Sequence, residues 1–145
     1  MGRYVQIING PNLQLLGRRE PAIYGTATLD DIIGSVRERF GSIEIRHMQS
    51  NCEGAIIDTL HGCGFDSDCM GVVLNAGAYT HTSLAIADAI AAIERPVVEV
   101  HLSNIFAREE IRHRSLIAAN CAGSISGFGA ESYALAVQAL IDYGR

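Results

Sequence analysis

The chain has 145 residues, 48% of them apolar and 19% charged, with a formal net charge of -5. That length suits one domain, and the expectation is a single unit over residues 1–145 whose apolar balance leaves surface for subunit contacts. No block of like charge offers a footprint for a nucleic-acid backbone, and the absence of lysine excludes Schiff-base, PLP-lysine and phosphate-loop chemistry.

Tyr4 to Ile8 is a short apolar run that predicts a buried strand ending at Asn9-Gly10-Pro11. The stretch INGPNLQLLGRREPAIYG that follows holds two prolines and three glycines, yet places Arg18, Arg19 and Tyr24 on what reads as a loop. Tyrosine is a poor base at its reference pKa of about 10, but neighbouring guanidinium groups favour the phenolate. The loop could therefore assemble a base when it closes over a ligand. A surface loop with scattered arginines is the alternative.

Thr28 starts a helical pattern through Leu29, Ile32, Ile33, Val36 and Phe40. Ile43 to Met48 alternates as a second strand, and Ile56, Ile57 and Leu60 predict a helix from Glu53 to the Gly62-Cys63-Gly64 punctuation. Gly71 to Leu74 is a third strand. Ser83 to Ile93 is a helix, capped by Ser83, with Leu84, Ala87 and Ala91 on one face. Pro96 ends it, Val97 to Val100 is a fourth strand, and Ala122 to Ile125 a fifth. A last helix runs from Glu131 to Ile141 with a Tyr133, Val137, Leu140 stripe. Strands alternating with helices predict an α/β fold built on a mostly parallel sheet.

In open α/β sheets ligands bind beyond the carboxyl ends of the strands. Here those ends carry Asn9 and Asn12, then Gln49 to Asn51, then Asn75 to His81, then His101 to Asn104, so a polar pocket is expected there. In EVHLSN, Glu99 and His101 share a face because the side-chain period of a strand is two. A carboxylate beside an imidazole holds its tautomer and favours its protonated form, which suits a general acid. A satisfied strand-end histidine is the alternative. NAGAYTHTS sets His81 before a helix N-terminus, where either a ligand site or a capped loop fits, and Asp88 would by default be solvated.

Several other chemistries lack their residues. The loop after the first strand lacks the hydroxyls of a flavin phosphate site, and a receiver domain would need a lysine. GFGAES misses the third glycine of a dinucleotide fingerprint, and GSISG has the wrong spacing for a serine hydrolase. Cys52, Cys63, Cys69 and Cys121 form no C-x-x-C and read as free thiols, so no metal site is assigned. MGRYVQII is not a signal peptide, and no apolar run approaches the roughly 18 residues of a membrane span, so a cytoplasmic location is expected.

INGPNLQLLGRREPAIYG, QSNCEG, NAGAYTHTS, VEVHLSNIFAREE and GFGAESYALA occur in an order and spacing that resemble type II 3-dehydroquinate dehydratase across nearly the whole chain. The resemblance implies a flavodoxin-like fold, a five-stranded parallel sheet with helices on both faces. It also implies dodecamers built from trimers, no cofactor, and anti elimination of water from 3-dehydroquinate to 3-dehydroshikimate, a step of the shikimate pathway to aromatic amino acids that quinate breakdown also uses.

By the same resemblance Tyr24 is similar to the family's base, with Arg19 as the cation that favours its phenolate. Asn12 is similar to the residue that orients a water at the enolate oxygen, and His101 to the acid, with Glu99 orienting it. Leu102 and Ser103 match the carboxylate site, Asn75, His81 and Arg112 the residues that hold ring hydroxyls, and Asp88 the one that reaches a neighbouring subunit's site. Arg108 occupies a further position the pattern marks. Gln14 and Cys52 depart from common family residues at positions without catalytic chemistry. A catalytically silent flavodoxin-like binding or assembly protein is the competing reading, but it would have no reason to retain a base, its activator and an acid together. A metal-dependent lyase using His61 and Cys63 is a weaker third.

Overall fold

A computed structural model describes residues 2–18, 20–24 and 26–143, with the backbone alone for Tyr24. Its centre is a five-stranded sheet in the order β2-β1-β3-β4-β5, with every pairing parallel. The strands are β1 (Tyr4–Asn9), β2 (Glu44–Gln49), β3 (Cys69–Asn75), β4 (Val97–His101) and β5 (Gly123–Ser126). The helices are α1 (Pro21–Tyr24), α2 (Leu29–Arg39), α3 (Glu53–Gly64), α4 (Leu84–Ala92) and α5 (Glu131–Asp142). Both the parallel sheet and its two-sided cover agree with the sequence reading.

Two apolar layers flank the sheet. Ile32, Val36, Val137 and Leu140 of α2 and α5 pack with Val5, Ile7 and Val73 on one face. Ile56, Leu60, Ile86 and Ile90 of α3 and α4 pack with Ile8, Val72 and Leu74 on the other. Successive residues of β1 thus serve opposite layers, as the pleat requires, and β1 and β3 are buried on both sides.

Local chemistry sets the element ends. Thr28 caps α2 through a reciprocal box with Asp31, each bond 3.1 Å long. Ser83 caps α4 by accepting from the Ile86 amide at 2.9 Å, and its hydroxyl also meets the Glu53 carboxylate.

The helix from Glu53 ends at Gly64, within the expected Gly62-Cys63-Gly64 punctuation, and a Cβ on Gly64 would fall 2.4 Å from Ile93, so this glycine also permits the close approach of two segments. Two expectations need correction. In β3 the strand begins earlier than Gly71, at Cys69, and its pairing with β1 carries an irregularity beside Gly71, whose φ is 151°. On α4 the stripe Leu84, Ala87, Ala91 is not the buried face: Leu84 is 67% exposed and Ala91 is exposed, while Ile86, Ala87, Ala89 and Ile90 face the core. Apolar residues surround this helix on nearly all sides, so periodicity alone could not choose between its faces.

The segment after β1 is also less of a loop than expected. Leu13–Leu15 forms a 3-10 turn, and α1 opens with Pro21 at its first helical position, where the missing amide hydrogen costs nothing.

Candidate active site

The parallel strands all deliver their carboxyl ends to one edge of the sheet. A pocket opens there, walled by Asn12, Asn75, His81, His101, Leu102, Ser103, Arg108 and Arg112. Eight of the residues singled out in the sequence thus meet in one place. Pro11, Leu13, Gly77, Ala78 and Ile105 complete the wall; being apolar or glycine, they carried no chemical signal in the sequence.

The most strongly organised part of the wall is the pair from β4. His101 Nε2 lies 2.5 Å from Glu99 Oε2, the arrangement that two residues of strand spacing allow. Glu99 is 1% exposed, and its other oxygen accepts from Ser115 Oγ at 3.1 Å and Ser124 Oγ at 3.0 Å. Burial pushes the Glu99 pKa up, but the hydrogen bond and charge of His101 and the two serine hydroxyls outweigh it and hold the carboxyl below its ordinary value. Glu99 is thereby an ionised acceptor that fixes a proton on His101 Nε2 and leaves Nδ1 as the second ring position for proton exchange. The serines were invisible in the sequence because they arrive from a distant loop and from β5.

His81 stacks beside His101, with ring centroids 6.3 Å apart and planes inclined by 22°. Its Nδ1 lies 2.8 Å from the Arg114 carbonyl. A carbonyl can only accept, so Nδ1 carries the hydrogen and Nε2 is left for another partner. The loop that supplies Arg114 is tied to the 3-10 turn Gly77–His81 after β3 by the Leu116 amide donating to the Thr80 carbonyl at 2.8 Å.

Two guanidinium groups close one side. Arg112 Nε donates to Glu109 Oε1 at 2.9 Å, and Arg108 Nε is 3.8 Å from the same oxygen. One exposed carboxylate thus orients both cations of the pocket, and its own pKa is held below the ordinary value by its backbone amide and by Arg112. On the opposite side Asn12 adopts a left-handed conformation, φ 70°, and its amide donates to Asn51 Oδ1 at 3.0 Å. Asn51 in turn accepts from Gln49 Nε2 at 3.2 Å, so the end of β2 supports the turn that presents Asn12.

Three predicted residues remain. Asp88 is exposed on α4 and does not line the pocket. Arg19 and the side chain of Tyr24 lie outside the described residues. Among the described residues no group of three His, Cys, Asp or Glu could hold a metal ion, and the four cysteines are free thiols, Cys63 buried and Cys52 exposed. No described helix is long and apolar enough to cross a membrane.

Comparison with known proteins identifies this arrangement. The model of the family described as dehydroquinase class II matches residues 3–141. A 3-dehydroquinate dehydratase of Exiguobacterium sp. is 54% identical over 142 residues, covering 97% of this chain and 96% of the relative. Another from Chlorobaculum tepidum is 51% identical, covering 96% of this chain and 94% of the relative. Among solved structures, the type II dehydroquinase from Butyrivibrio crossotus superposes with a TM-score of 0.93 at 42% identity, over 97% of this chain and 99% of its own. With the strand-end pocket, the five-stranded parallel sheet and the near-complete match all in agreement, this chain belongs to the dehydroquinase class II family.

Proposed function

We propose that the chain, acting as one catalytic domain over residues 1–145, dehydrates 3-dehydroquinate to 3-dehydroshikimate by anti elimination, with Tyr24 as base and His101 as acid. The dehydratase activity rests on family membership and on relatives of that name at 51% to 54% identity over nearly the full chain. The assignment of the acid is supported chiefly by the Glu99 to His101 pair, which opens on the same pocket as Asn12, Asn75 and Arg112.

The chemistry needs three parts: a base, a stabiliser for the enolate and an acid for the departing hydroxyl. In this reading the Tyr24 phenolate, favoured by Arg19, removes a proton next to the ketone. Electron density moves onto the ketone oxygen, where a water held by Asn12 donates a hydrogen bond. The enolate then reforms the ketone and expels the hydroxyl, which takes a proton from His101 and leaves as water. Glu99 stabilises the imidazolium before that transfer and orients the neutral ring after it. The protons gained by Tyr24 and lost by His101 are restored between turnovers.

Leu102 and Ser103, immediately beyond β4, bind the substrate carboxylate through backbone amides and the serine hydroxyl. Asn75, His81 and Arg112 bind ring hydroxyls, with Arg108 supplying positive charge beside them. Asp88 belongs to a neighbouring subunit's site in a dodecamer of trimers, which agrees with its exposed place on α4 beside Leu84 and Ala91. The assembly works in the cytoplasm on a small-molecule substrate, without metal or organic cofactor.

The direct test is chelator-treated protein mixed with 3-dehydroquinate, with and without borohydride, following the ultraviolet absorbance of the conjugated enone. Turnover that survives both treatments is expected. No turnover from folded, assembled protein would overturn the reading in favour of a silent binding protein.

A further inference from the structure

Behind the pocket wall lies a largely buried chain of polar side chains, of which the proposed reaction uses only Asn75. Asn75, at the end of β3, is 4% exposed and lines the pocket; Tyr133 of α5 and Asn9 of β1 are 0% exposed and do not. Asn75 Nδ2 donates to Tyr133 Oη at 3.0 Å, Tyr133 Oη donates to Asn9 Oδ1 at 2.5 Å, and Asn9 Nδ2 lies 3.0 Å from His47 Nε2. The chain spans three adjacent strands and reaches α5, joining residues 124 apart in sequence.

Its direction is set from a backbone atom. The Gly77 amide lies 3.2 Å from Asn75 Oδ1. An amide N–H can only donate, so the oxygen of Asn75 must face Gly77 and its nitrogen must face Tyr133. The tyrosine hydroxyl then accepts from Asn75 and has its single hydrogen left for Asn9 Oδ1. Asn9 is forced in turn to offer Nδ2 to His47, which must accept. Burial, with the nearby Arg37 charge, lowers the His47 pKa against an opposing effect of Asp30, which favours the neutral, accepting imidazole. Every link has one permitted sense, and the hydrogen left on Asn75 Nδ2 and the spare lone pair on Oδ1 are what this amide can present to a ligand.

A hydroxyl at a fully buried position in an apolar helix stripe costs stability unless it is paired. Packing alone would be served by phenylalanine here. The hydroxyl's two partners are both strand-end amides, and one of them walls the pocket.

We propose that Tyr133 is a positioning residue for substrate binding, its hydroxyl holding the Asn75 amide in the orientation that the Gly77 amide selects and that receives a ring hydroxyl, with Asn9 and His47 as the supporting links. This rests on the reading of Asn75 as a substrate contact. It is tested by steady-state kinetics with 3-dehydroquinate and thermal denaturation on Tyr133→Phe, Asn75→Ala, the double variant, His47→Leu and His47→Gln. Loss of one oriented hydrogen bond to substrate corresponds to about a tenfold change, so Tyr133→Phe raises KM about tenfold with kcat nearly unchanged. Because Tyr133 acts through Asn75, the double variant has a KM no higher than Asn75→Ala alone. His47→Leu, which removes the terminal acceptor, raises KM, and His47→Gln, which restores one, recovers most of the loss.

A Tyr133→Phe protein with a lowered melting temperature and an unchanged KM, or a double variant in which the two KM effects multiply, would overturn the proposal while leaving Asn75 as a contact. An unchanged KM in Asn75→Ala would instead remove the contact itself, and the proposal with it. Should Tyr133→Phe not fold, the histidine pair decides: equal KM values in His47→Leu and wild type overturn the chain.

Discussion

The proposed acid and the proposed base of this protein stand on segments that are built in different ways. Glu99 and His101 sit on a central strand, almost wholly buried, and three side-chain hydrogen bonds converge on the Glu99 carboxylate. The described residues between Arg18 and Tyr24 form a short exposed segment held by local bonds, such as the Ile23 amide to the Glu20 carbonyl at 2.9 Å. Glu20 lies at φ 40°, a left-handed conformation without the freedom of glycine. The proposed acid therefore shares its hydrogen bonds with the core of the fold, whereas the described side chains around the proposed base are exposed. Substitutions on the first should change stability and rate together; those on the second should change rate alone.

The largest expected effect tests the second half of that contrast. Tyr24→Phe should lower kcat by roughly three orders of magnitude, the upper part of what general-base catalysis supplies, with the melting temperature unchanged. A kcat near wild type would remove Tyr24 as base. Glu99→Gln should lower kcat by about a hundredfold and also lower the melting temperature, since a neutral amide replaces a carboxylate bonded to three partners; a rate loss without any thermal shift would erase the contrast between the two sides.

The same variant has a pH signature. A carboxyl whose folded pKa is depressed contributes stability that is fully present above its ordinary value of 4.5 and is lost as pH falls through the folded value. Melting temperatures measured between pH 6 and pH 3 should therefore fall more steeply in wild type than in Glu99→Gln. Parallel curves would mean that Glu99 titrates alike in both states.

Smaller effects sharpen the comparison within the exposed segment. Arg19→Ala should lower kcat about tenfold with little change in KM, and an effect confined to KM would make Arg19 a binding residue. Arg18→Ala, one residue earlier and exposed, should change kcat by less than about twofold, the ordinary range for a surface site without a special contact. A loss equal to that of Arg19→Ala would assign the pair a shared role.

Much of this protein was legible in its sequence because the signals were local. The strand period put Glu99 and His101 on one face, Thr28 and Ser83 are polar caps whose partners lie three residues away, and alternating strands and helices led to the parallel sheet. The motifs at the strand ends named most of the polar residues that wall the pocket, since a parallel sheet brings those ends to one edge wherever the chain goes in between. Tertiary structure alone decided which face of α4 is buried, because a helix that is apolar nearly all round is oriented only by what packs on it. It also decided that Gly64 serves a close contact with Ile93, that Ser115 and Ser124 converge on Glu99, and that the hydroxyl of Tyr133 reaches Asn9 and Asn75. These partners lie 16 to 124 residues apart, beyond the reach of any local period, so their pairing exists only once the sheet and its helices have packed.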